Sequence, residues 1–282
     1  MVVKIVTDSS ADLPAQLAKD LDITIVPLYV RFGEQVYRDR IDISEDDFYR
    51  RLVRDSIHPS TIQPSPQDFS TAYQSIAKAG VDGIVSIHIS NKLSGTMNSA
   101  SQAKEDVKNC PVEVIDSQML SAALGLVTIS AAKLAKSGTD FIDTVKHVKT
   151  ILPGTHLEGL LDTLKFVLLG GRIGKAKALL GSLLNVKPLL ALKDGEVVPA
   201  GQVRSRAKGI DRLFEFIKSG KNIQNLAIAF NTTPDEAETL ADRVAAANIF
   251  DRKKIIMTRI GPMLGVHMGP GTIIAAYVEK PA

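Results

Sequence analysis

The chain of 282 residues contains no tryptophan, and aromatic residues amount to only 5% of the total. Proteins that bind single-stranded nucleic acid stack bases on aromatic rings, so this scarcity argues against that function. Neither sign of charge dominates, because 34 basic and 31 acidic residues give a formal net charge of +3. We therefore expect no nucleic-acid partner, while the composition leaves transient contact with a membrane surface open.

Cysteine and long apolar runs are scarce as well. Cys110 is the single cysteine, which excludes an internal disulfide and gives no sign of an oxidising compartment. The longest uncharged stretch, Ser117 to Ala132, is shorter than a membrane-spanning helix and contains several polar residues. Lys4 and Asp8 interrupt the apolar run at the N-terminus, which therefore does not match a signal peptide. The sequence thus predicts a cytoplasmic protein with no integral membrane segment.

Strand-like runs alternate with helical patterns in the first half of the chain. Residues 3–8, 83–90 and 112–117 are short apolar runs, each followed by a segment with helical periodicity. Residues 23–32 form a longer run that predicts a single strand, which returns through Gly33 as a hairpin. Alternation of this kind predicts an α/β domain, in which helices cover both faces of a parallel sheet.

The second half of the chain has a different pattern. Asp194 and Gly195 lie between two strand-like runs, and this dipeptide is a strong signal for a tight hairpin turn. Further strand-like runs follow, and Thr233 is placed to cap a helix that begins at the next residue, a proline. We predict an α+β domain with a mixed or mostly antiparallel sheet. The predicted division is one domain of residues 1–153 and another of residues 154–282.

Three polar clusters lie at predicted strand ends or helix starts, and each is a candidate anion site. They span residues 60–69, 91–100 and 260–271. Amide groups at a helix start are free to bind an anion, although Ser and Thr at such positions are more often plain caps. His267 lies among glycines and prolines, which permit close approach of another group and stiffen the loop. A histidine there is suited to donate a hydrogen bond to a buried anion.

Several other chemistries lack their sequence patterns. The segment "GGRIGKAK" does not have the spacing of a Walker A loop, and no G-x-G-x-x-G follows the first strand. The five histidines lack the spacing of metal ligands, so we predict neither a metal site nor a cofactor. A hydrolase or phosphotransferase built on Ser94, His267 and Asp8 stays open as an alternative, although Asp8 more simply caps the next helix.

Seven motifs follow one another along the chain. In order they are "VTDSSADLP", "TIQPSP", "LSGTMNSA", "VIDSQMLSAALG", "LLGGRIG", "VKPLL" and "GPMLGVHMGPG". This ordered set covers essentially the whole chain, and it resembles the DegV family of fatty-acid-binding proteins, which includes the FakB subunits of bacterial fatty acid kinase. One departure is Ile62, which stands where the family usually has a serine after the threonine of "T-S-Q-P-S".

The resemblance implies both a fold and a ligand. It implies a Rossmann-like N-terminal domain, a C-terminal domain built on an antiparallel sheet, and a long-chain fatty acid, similar to palmitate or oleate, buried between them. Thr61, Ser94 and His267 would hold the carboxylate, and the backbone at Gly95 would add a donor. The apolar segments within residues 157–192 are candidates for the tunnel wall, and plain core packing explains each of those residues equally well.

The resemblance also implies a partner. In kinase-linked members a separate ATP-binding subunit phosphorylates the bound fatty acid, and arginines that match Arg172 and Arg204 lie near the docking surface. The chain would then be a lipid-binding subunit without a complete active site of its own. A lipid carrier or sensor that has no kinase partner is the remaining alternative.

Overall fold

The computed structural model describes residues 1–182 and 186–281. The strands in this part of the chain are β1 (Val3–Asp8), β2 (Ile23–Val26), β3 (Tyr29–Phe32), β4 (Gln35–Arg38), β5 (Ser60–Ile62), β6 (Gly83–His88), β7 (Val112–Asp116), β8 (Thr155–Leu160), β9 (Lys187–Lys193), β10 (Glu196–Val203), β11 (Ile223–Phe230), β12 (Ile256–Arg259) and β13 (Ile273–Glu279).

The α-helices of the described residues are α1 (Ala15–Asp20), α2 (Glu45–Arg54), α3 (Pro66–Lys78), α4 (Thr96–Ala103), α5 (Ser121–Lys136), α6 (Phe141–Ile151), α7 (Lys165–Leu169), α8 (Arg206–Ser219), α9 (Pro234–Ala246) and α10 (Pro262–Met268). Short 3-10 helices occur at Ser9–Ala11, Lys104–Asp106, Leu152–Gly154, Gly174–Ser182 and Arg252–Lys254.

The first sheet is parallel, with its strands in the order β2-β1-β6-β7. Helices α3 and α4 pack on one face, where Phe69, Tyr73 and Ala100 meet Val6 of β1. Helices α5 and α6 pack on the other face. Every residue of β6 is buried, which explains why this strand contains no charged residue and lacks the alternation of a half-exposed strand. The predicted α/β architecture of the first half is confirmed.

A small antiparallel sheet with the order β4-β3-β5 lies beside the parallel one. The prediction of one strand over residues 23–32 is wrong, because the run divides into β2 in the parallel sheet and β3 in the small sheet. Pro27 lies at the division, and a proline has no amide hydrogen to donate to a sheet. The hairpin through Gly33 is confirmed, and its φ of 58° is readily adopted by glycine.

The second large sheet has the order β10-β9-β8-β13-β11-β12, and only the β11–β12 pair is parallel. Asp194 and Gly195 form the predicted β9–β10 turn with φ values of 52° and 78°, as a type I′ turn requires. The predicted Thr233 side-chain cap is wrong, because Thr233 makes no cap bond to α9. Its hydroxyl instead accepts a hydrogen bond from Arg206 at 3.3 Å.

Helix α5 lies between the two large sheets, with contacts to β1 on one side and to β11 and β13 on the other. Most of its side chains are buried, so the uncharged stretch from Ser117 to Ala132 is largely an interior helix. Within the described residues, no helix combines the length and the apolar character needed to cross a membrane. The predicted domain boundary at residues 153 and 154 falls between α6 and β8, and it stays a prediction.

Candidate functional site

A cavity lies between the second large sheet, helix α10 and the loop that follows β6. It encloses about 930 Å³ of empty space, a figure that includes space open to solvent, and its mostly apolar lining with a few polar groups is typical of a small-molecule site. Its apolar lining consists of Leu28, Ile89, Leu93, Leu120, Leu157, Gly159, Leu161, Val167, Leu190, Ala191, Leu192, Val197, Met263, Leu264, Met268 and Ile274.

Strand β8 and the residue after it form part of the wall by simple alternation. Leu157, Gly159 and Leu161 line the cavity, whereas Leu160 belongs to the core beneath α8, since successive side chains point to opposite faces of a sheet. Segment 157–192 therefore contributes both to the cavity wall and to ordinary core packing. Its residues 183–185 lie outside the described residues.

Polar side chains gather at one part of the wall: Thr61, Gln63, Ser94, Arg172 and His267. The structure thus brings together the three side chains that the sequence resemblance implies as carboxylate ligands, although they are far apart in the chain. Their role as ligands stays a prediction. Gln63 was not predicted as a site residue, and the available signal was its place in the "TIQPSP" motif.

Thr61 and His267 form a direct contact across the site. Thr61 lies on β5 and His267 on the last turn of α10, and the Thr61 Oγ1 to His267 Nε2 distance is 3.0 Å. The other ring nitrogen, Nδ1, is buried and has no hydrogen-bond partner among the described residues. If Nε2 carries the proton and donates to Thr61, the Thr61 hydroxyl proton is free for a ligand.

The imidazole of His267 is neutral at physiological pH. Burial lowers its pKa to about 3, because desolvation disfavours the charged ring, and Arg172 and His58 add electrostatic repulsion. A neutral ring has one N–H group, so it can donate a single hydrogen bond, either to a ligand or to the Thr61 hydroxyl. It supplies no full positive charge. The polar end of the cavity is therefore a hydrogen-bonding site with Arg172 as the nearby cation.

Ser94 and Gly95 are in the loop between β6 and α4. Gly95 precedes the first residue of α4 and makes no side-chain cap, while Ser94 Oγ lies 2.8 Å from Thr96 Oγ1. Gly95 packs so closely on the side-chain amide of Gln63 that a Cβ could not fit without displacing it. The glycine therefore allows the loop and the segment after β5 to meet at the cavity. Its amide forms no hydrogen bond with other described residues, but Gly95 is not itself among the residues that line the cavity, so its role as a donor stays a prediction.

Asp8, at the end of β1, fixes the start of the loop that follows β6. Its Oδ2 atom accepts hydrogen bonds from the amide of Ile89 at 3.1 Å and from His88 Nδ1 at 2.9 Å. The second nitrogen of His88 is 2.7 Å from Ser86 Oγ, which also accepts a hydrogen bond from Tyr73. All of these side chains are buried, so they form a closed polar network inside the first half.

This network contradicts the alternative of a catalytic triad made of Ser94, His267 and Asp8. The carboxylate of Asp8 is bound to His88 rather than to His267, and the nitrogen of His267 that has a partner contacts Thr61. Asp8 does cap the following 3-10 helix by accepting from the Ser10 amide at 3.0 Å. The plain capping role that the sequence suggested for Asp8 is thereby confirmed.

The two arginines implied as docking residues are placed differently. Arg172 lines the cavity, and its guanidinium donates to the carbonyl groups of Leu93 at 3.3 Å and of Gly170 at 2.8 Å. Arg204 is exposed just after β10 and does not line the cavity. Within residues 1–182 and 186–281, Arg172 makes no ion pair with a carboxylate, which leaves its charge available.

Comparison with known proteins agrees with the motifs. The model of the DegV family, described as uncharacterised, matches residues 2–280. A DegV domain-containing protein of Halalkalibacterium halodurans is 34% identical over 99% of both chains.

Two solved structures are similar over almost the whole chain. One is a DegV family protein from Thermus thermophilus, described by its fatty acid binding, with a TM-score of 0.91, 33% identity and coverage of 99% and 100% of the two chains. The other is a stearic acid-binding protein from Eubacterium ventriosum, with a TM-score of 0.89, 28% identity and coverage of 99% of each chain. The chain described here therefore belongs to the DegV family.

Proposed function

We propose that this protein binds one long-chain fatty acid, with its acyl tail in the apolar cavity and its carboxylate at Thr61, Ser94, the Gly95 amide and His267. The observation that carries the proposal is the division of the cavity into an apolar wall and one polar end. The solved relatives from T. thermophilus and E. ventriosum, which are described as binding fatty acid and stearic acid, support the choice of ligand.

The acyl tail supplies most of the binding free energy. Burial of apolar surface yields roughly 0.8 kcal/mol per methylene, so about 15 methylenes contribute on the order of 12 kcal/mol. Immobilising the ligand costs several kcal/mol of that gain. The head-group contacts compensate for desolvation of the carboxylate, since a carboxylate that enters the cavity without hydrogen bonds would be strongly unfavourable.

The polar end can meet this need with neutral donors. Thr61 and Ser94 each have a hydroxyl, the Gly95 amide forms no hydrogen bond with other described residues, and His267 is neutral and bonded to Thr61. These groups can satisfy the oxygens of a carboxylate without a buried ion pair. Arg172, at the edge of the site, supplies the compensating charge while it stays accessible from outside.

The second part of the proposal is that a separate ATP-binding kinase subunit phosphorylates the bound carboxylate. A carboxylate oxygen would attack the γ-phosphorus of ATP, ADP would leave, and an acyl-phosphate would result. Two features support this: Arg172 and Arg204 are exposed cations, and the polar end contains no hydrogen-bonded Ser–His–Asp triad among the described residues. The arginines are the proposed docking residues.

Native mass spectrometry of the protein purified from bacterial cells tests the first part. We expect a mass increment equal to one fatty acid, and uptake of palmitate, stearate or oleate by the delipidated protein. Gly159→Leu is the blocking variant, because a side chain at this position would project into the cavity while its Cβ makes only ordinary contacts. A folded wild-type protein that never carries or takes up lipid would overturn the proposal.

Transfer of labelled phosphate from ATP to the loaded protein's fatty acid, in the presence of a fatty acid kinase subunit, tests the second part. Arg204→Glu should lower acyl-phosphate formation while lipid content stays unchanged, whereas Arg172→Glu should lower both, because Arg172 also lines the cavity beside the proposed carboxylate site. A loaded wild-type protein that supports no phosphorylation would instead favour a carrier or sensor without a kinase partner.

A further inference from the structure

Helix α10 forms one wall of the cavity, but it has only seven residues. A helix of this length is not stable by itself in water, so its position depends on the groups that hold it. Met263, Leu264, His267 and Met268 line the cavity, so a ligand would lie against this side of the helix. The opposite side and the two ends must therefore fix where His267 lies.

Two buried carboxylates of the first half hold the N-terminal end of α10. Asp12 Oδ1 accepts the amide hydrogen of Gly261 at 2.8 Å, and Asp39 Oδ1 accepts that of Met263 at 3.1 Å. Both acids are almost completely buried, with exposures of 1% and 2%. Carboxylates in this position satisfy amide groups that have no partner within the helix, and they interact favourably with its dipole.

Asp39 and Thr61 belong to the same small sheet. Asp39 directly follows β4 and donates its amide hydrogen to Leu28 at 2.8 Å, while Thr61 on β5 pairs with Val30 on β3. The residues they contact on α10, Met263 and His267, are four positions apart and so lie about one turn apart on one face. The small sheet and the residue that follows β4 therefore contact α10 at two points, Asp39 to Met263 and Thr61 to His267.

The two carboxylates differ in how completely they are paired. Asp12 has a full set of partners, since it also accepts from Arg40 at 3.0 Å and from Ser121 at 2.7 Å. Asp39 Oδ2, in contrast, is buried and has no hydrogen bond of normal geometry among the described residues, although the Ser9 hydroxyl and the Arg40 guanidinium lie close enough to act against the rise in its pKa. Among the described residues, the one hydrogen bond of normal geometry that the Asp39 carboxyl accepts comes from the Met263 amide on α10.

We infer that Asp39 is a positioning residue for the fatty-acid head group: by holding the amide of Met263 it places His267 against Thr61. The inference rests on the proposed function, because the placement of His267 matters to a ligand only if a carboxylate binds there. Asp12, whose hydrogen bonds are complete, has a structural role at the same end of α10.

A double-mutant cycle with Asp39→Ala and His267→Ala tests this role. Palmitate affinity of the delipidated proteins is measured by displacement of a fluorescent fatty acid. We expect Asp39→Ala to weaken binding about tenfold in the wild-type background and to have almost no further effect when His267 is absent. Asp39→Asn keeps an oxygen acceptor for the Met263 amide and should bind palmitate about as well as wild type. Fully additive losses would overturn the inference.

The side-chain ¹⁵N resonances of His267 provide a second readout that needs no lipid. In wild type we expect one tautomer, with the proton on Nε2, because the Thr61 hydroxyl can accept it there, whereas a proton on buried Nδ1 would have no acceptor among the described residues. Asp39→Ala should shift these resonances toward a mixture of tautomers, whereas Asp39→Asn should not. If the folded Asp39→Ala protein gives unchanged resonances, Asp39 does not position His267. If wild type binds no palmitate but the resonances shift as expected, the proposed function fails and the positioning role stands.

Asp140→Ala is the matched control. Asp140 is another aspartate that accepts a helix amide, from Asp143 at 2.8 Å at the start of α6, and it lines no part of the cavity. Its removal should lower stability and leave palmitate affinity and the His267 resonances unchanged. If Asp39→Ala does not fold, Asp39→Leu fills the space without an acceptor. Should neither variant fold while Asp39→Asn does, Asp39 is a structural residue and the inference is wrong.

Discussion

His88 in the core and His267 at the cavity differ in how many of their ring nitrogens are paired. His88 has a partner on each side, Asp8 at 2.9 Å and Ser86 at 2.7 Å. His267 contacts Thr61 at 3.0 Å, and its Nδ1 has no partner among the described residues. Because buried polar groups are normally satisfied, the comparison teaches that the fully paired His88 holds the fold, whereas the one hydrogen bond of His267 is to Thr61 at the cavity wall.

The hydrogen bonds around His88 have one consistent direction. Tyr73 donates a hydrogen bond to Ser86. The Ser86 hydroxyl can then donate to His88 Nε2, and His88 Nδ1 donates to Asp8. This chain connects α3, β6 and β1 in the interior, and no member is left for a ligand. The contacts of His267 instead end at the cavity.

Removing Asp8 should produce the largest effect on stability. Asp8→Ala leaves His88 and two amide groups without an acceptor in the interior, so we expect a loss of about 3 kcal/mol or more in the free energy of unfolding. Urea denaturation measures it as a lower midpoint at a similar slope. Asp140→Ala, which removes an exposed helix cap, should cost only about 1 kcal/mol. Equal losses in both variants would show that the Asp8 network is no more than an ordinary cap.

The pH dependence of stability tests the environment of His267 by a second route. Burial lowers the pKa of His267 to about 3, while an unfolded chain has a histidine pKa of about 6.5. Between these values the unfolded state binds more protons, so stability from the neutral ring is complete above pH 6.5 and is lost as pH falls toward 3. From pH 7 to 4.5 the expected loss is about 2 kcal/mol.

His267→Gln should remove this loss, and the measurement is urea denaturation of both proteins at pH 7 and 4.5. The exposed His156 supplies the control variant His156→Gln, which should retain it. Wild type must be compared with the variant rather than judged alone, because burial raises the pKa of Asp39 to about 7. The contribution of Asp39 to the free energy of unfolding therefore has the opposite pH dependence: it increases as pH falls from 7 toward 3.8. A pH profile unchanged by His267→Gln would contradict a strongly lowered pKa.

Two hydroxyl deletions compare the histidines most directly, since each removes the partner of one Nε2 atom. Thr61→Val should weaken palmitate binding about tenfold, because a hydrogen bond to a carboxylate is worth about 1.5 kcal/mol or more. Ser86→Ala should leave affinity unchanged and lower stability by about 1–2 kcal/mol, since Tyr73 and His88 lose a partner. Isothermal titration and urea denaturation give both quantities. The opposite pattern would reverse the roles assigned to the two histidines.

The sequence predicted the fold class and the turn at Asp194 and Gly195 because both depend on local patterns. The break of the 23–32 run depends on which sheet each half joins, and periodicity contains no information about that choice. Likewise, Thr61 and His267 are 206 positions apart, and only the ordered family motifs indicated that they belong to one site. Asp39 and Gln63 were missed. The importance of Asp39 comes from its contact with the backbone of α10, and that of Gln63 from its contact with Gly95.

The smallest effect is expected at Ile62, next to Thr61. The side chain of Thr61 lies on the same face of the small sheet as its partner Val30, which is fully buried, whereas Ile62 is on the other face and is 39% exposed. Ile62→Ser restores the serine usual in the family motif. It should change the free energy of unfolding by less than about 0.5 kcal/mol and leave palmitate affinity within about twofold, since exposed substitutions away from special contacts have small effects. A larger change in affinity would mean that the departure from the motif alters Thr61, and that the contact between Thr61 and His267 is tuned from the outer face of β5.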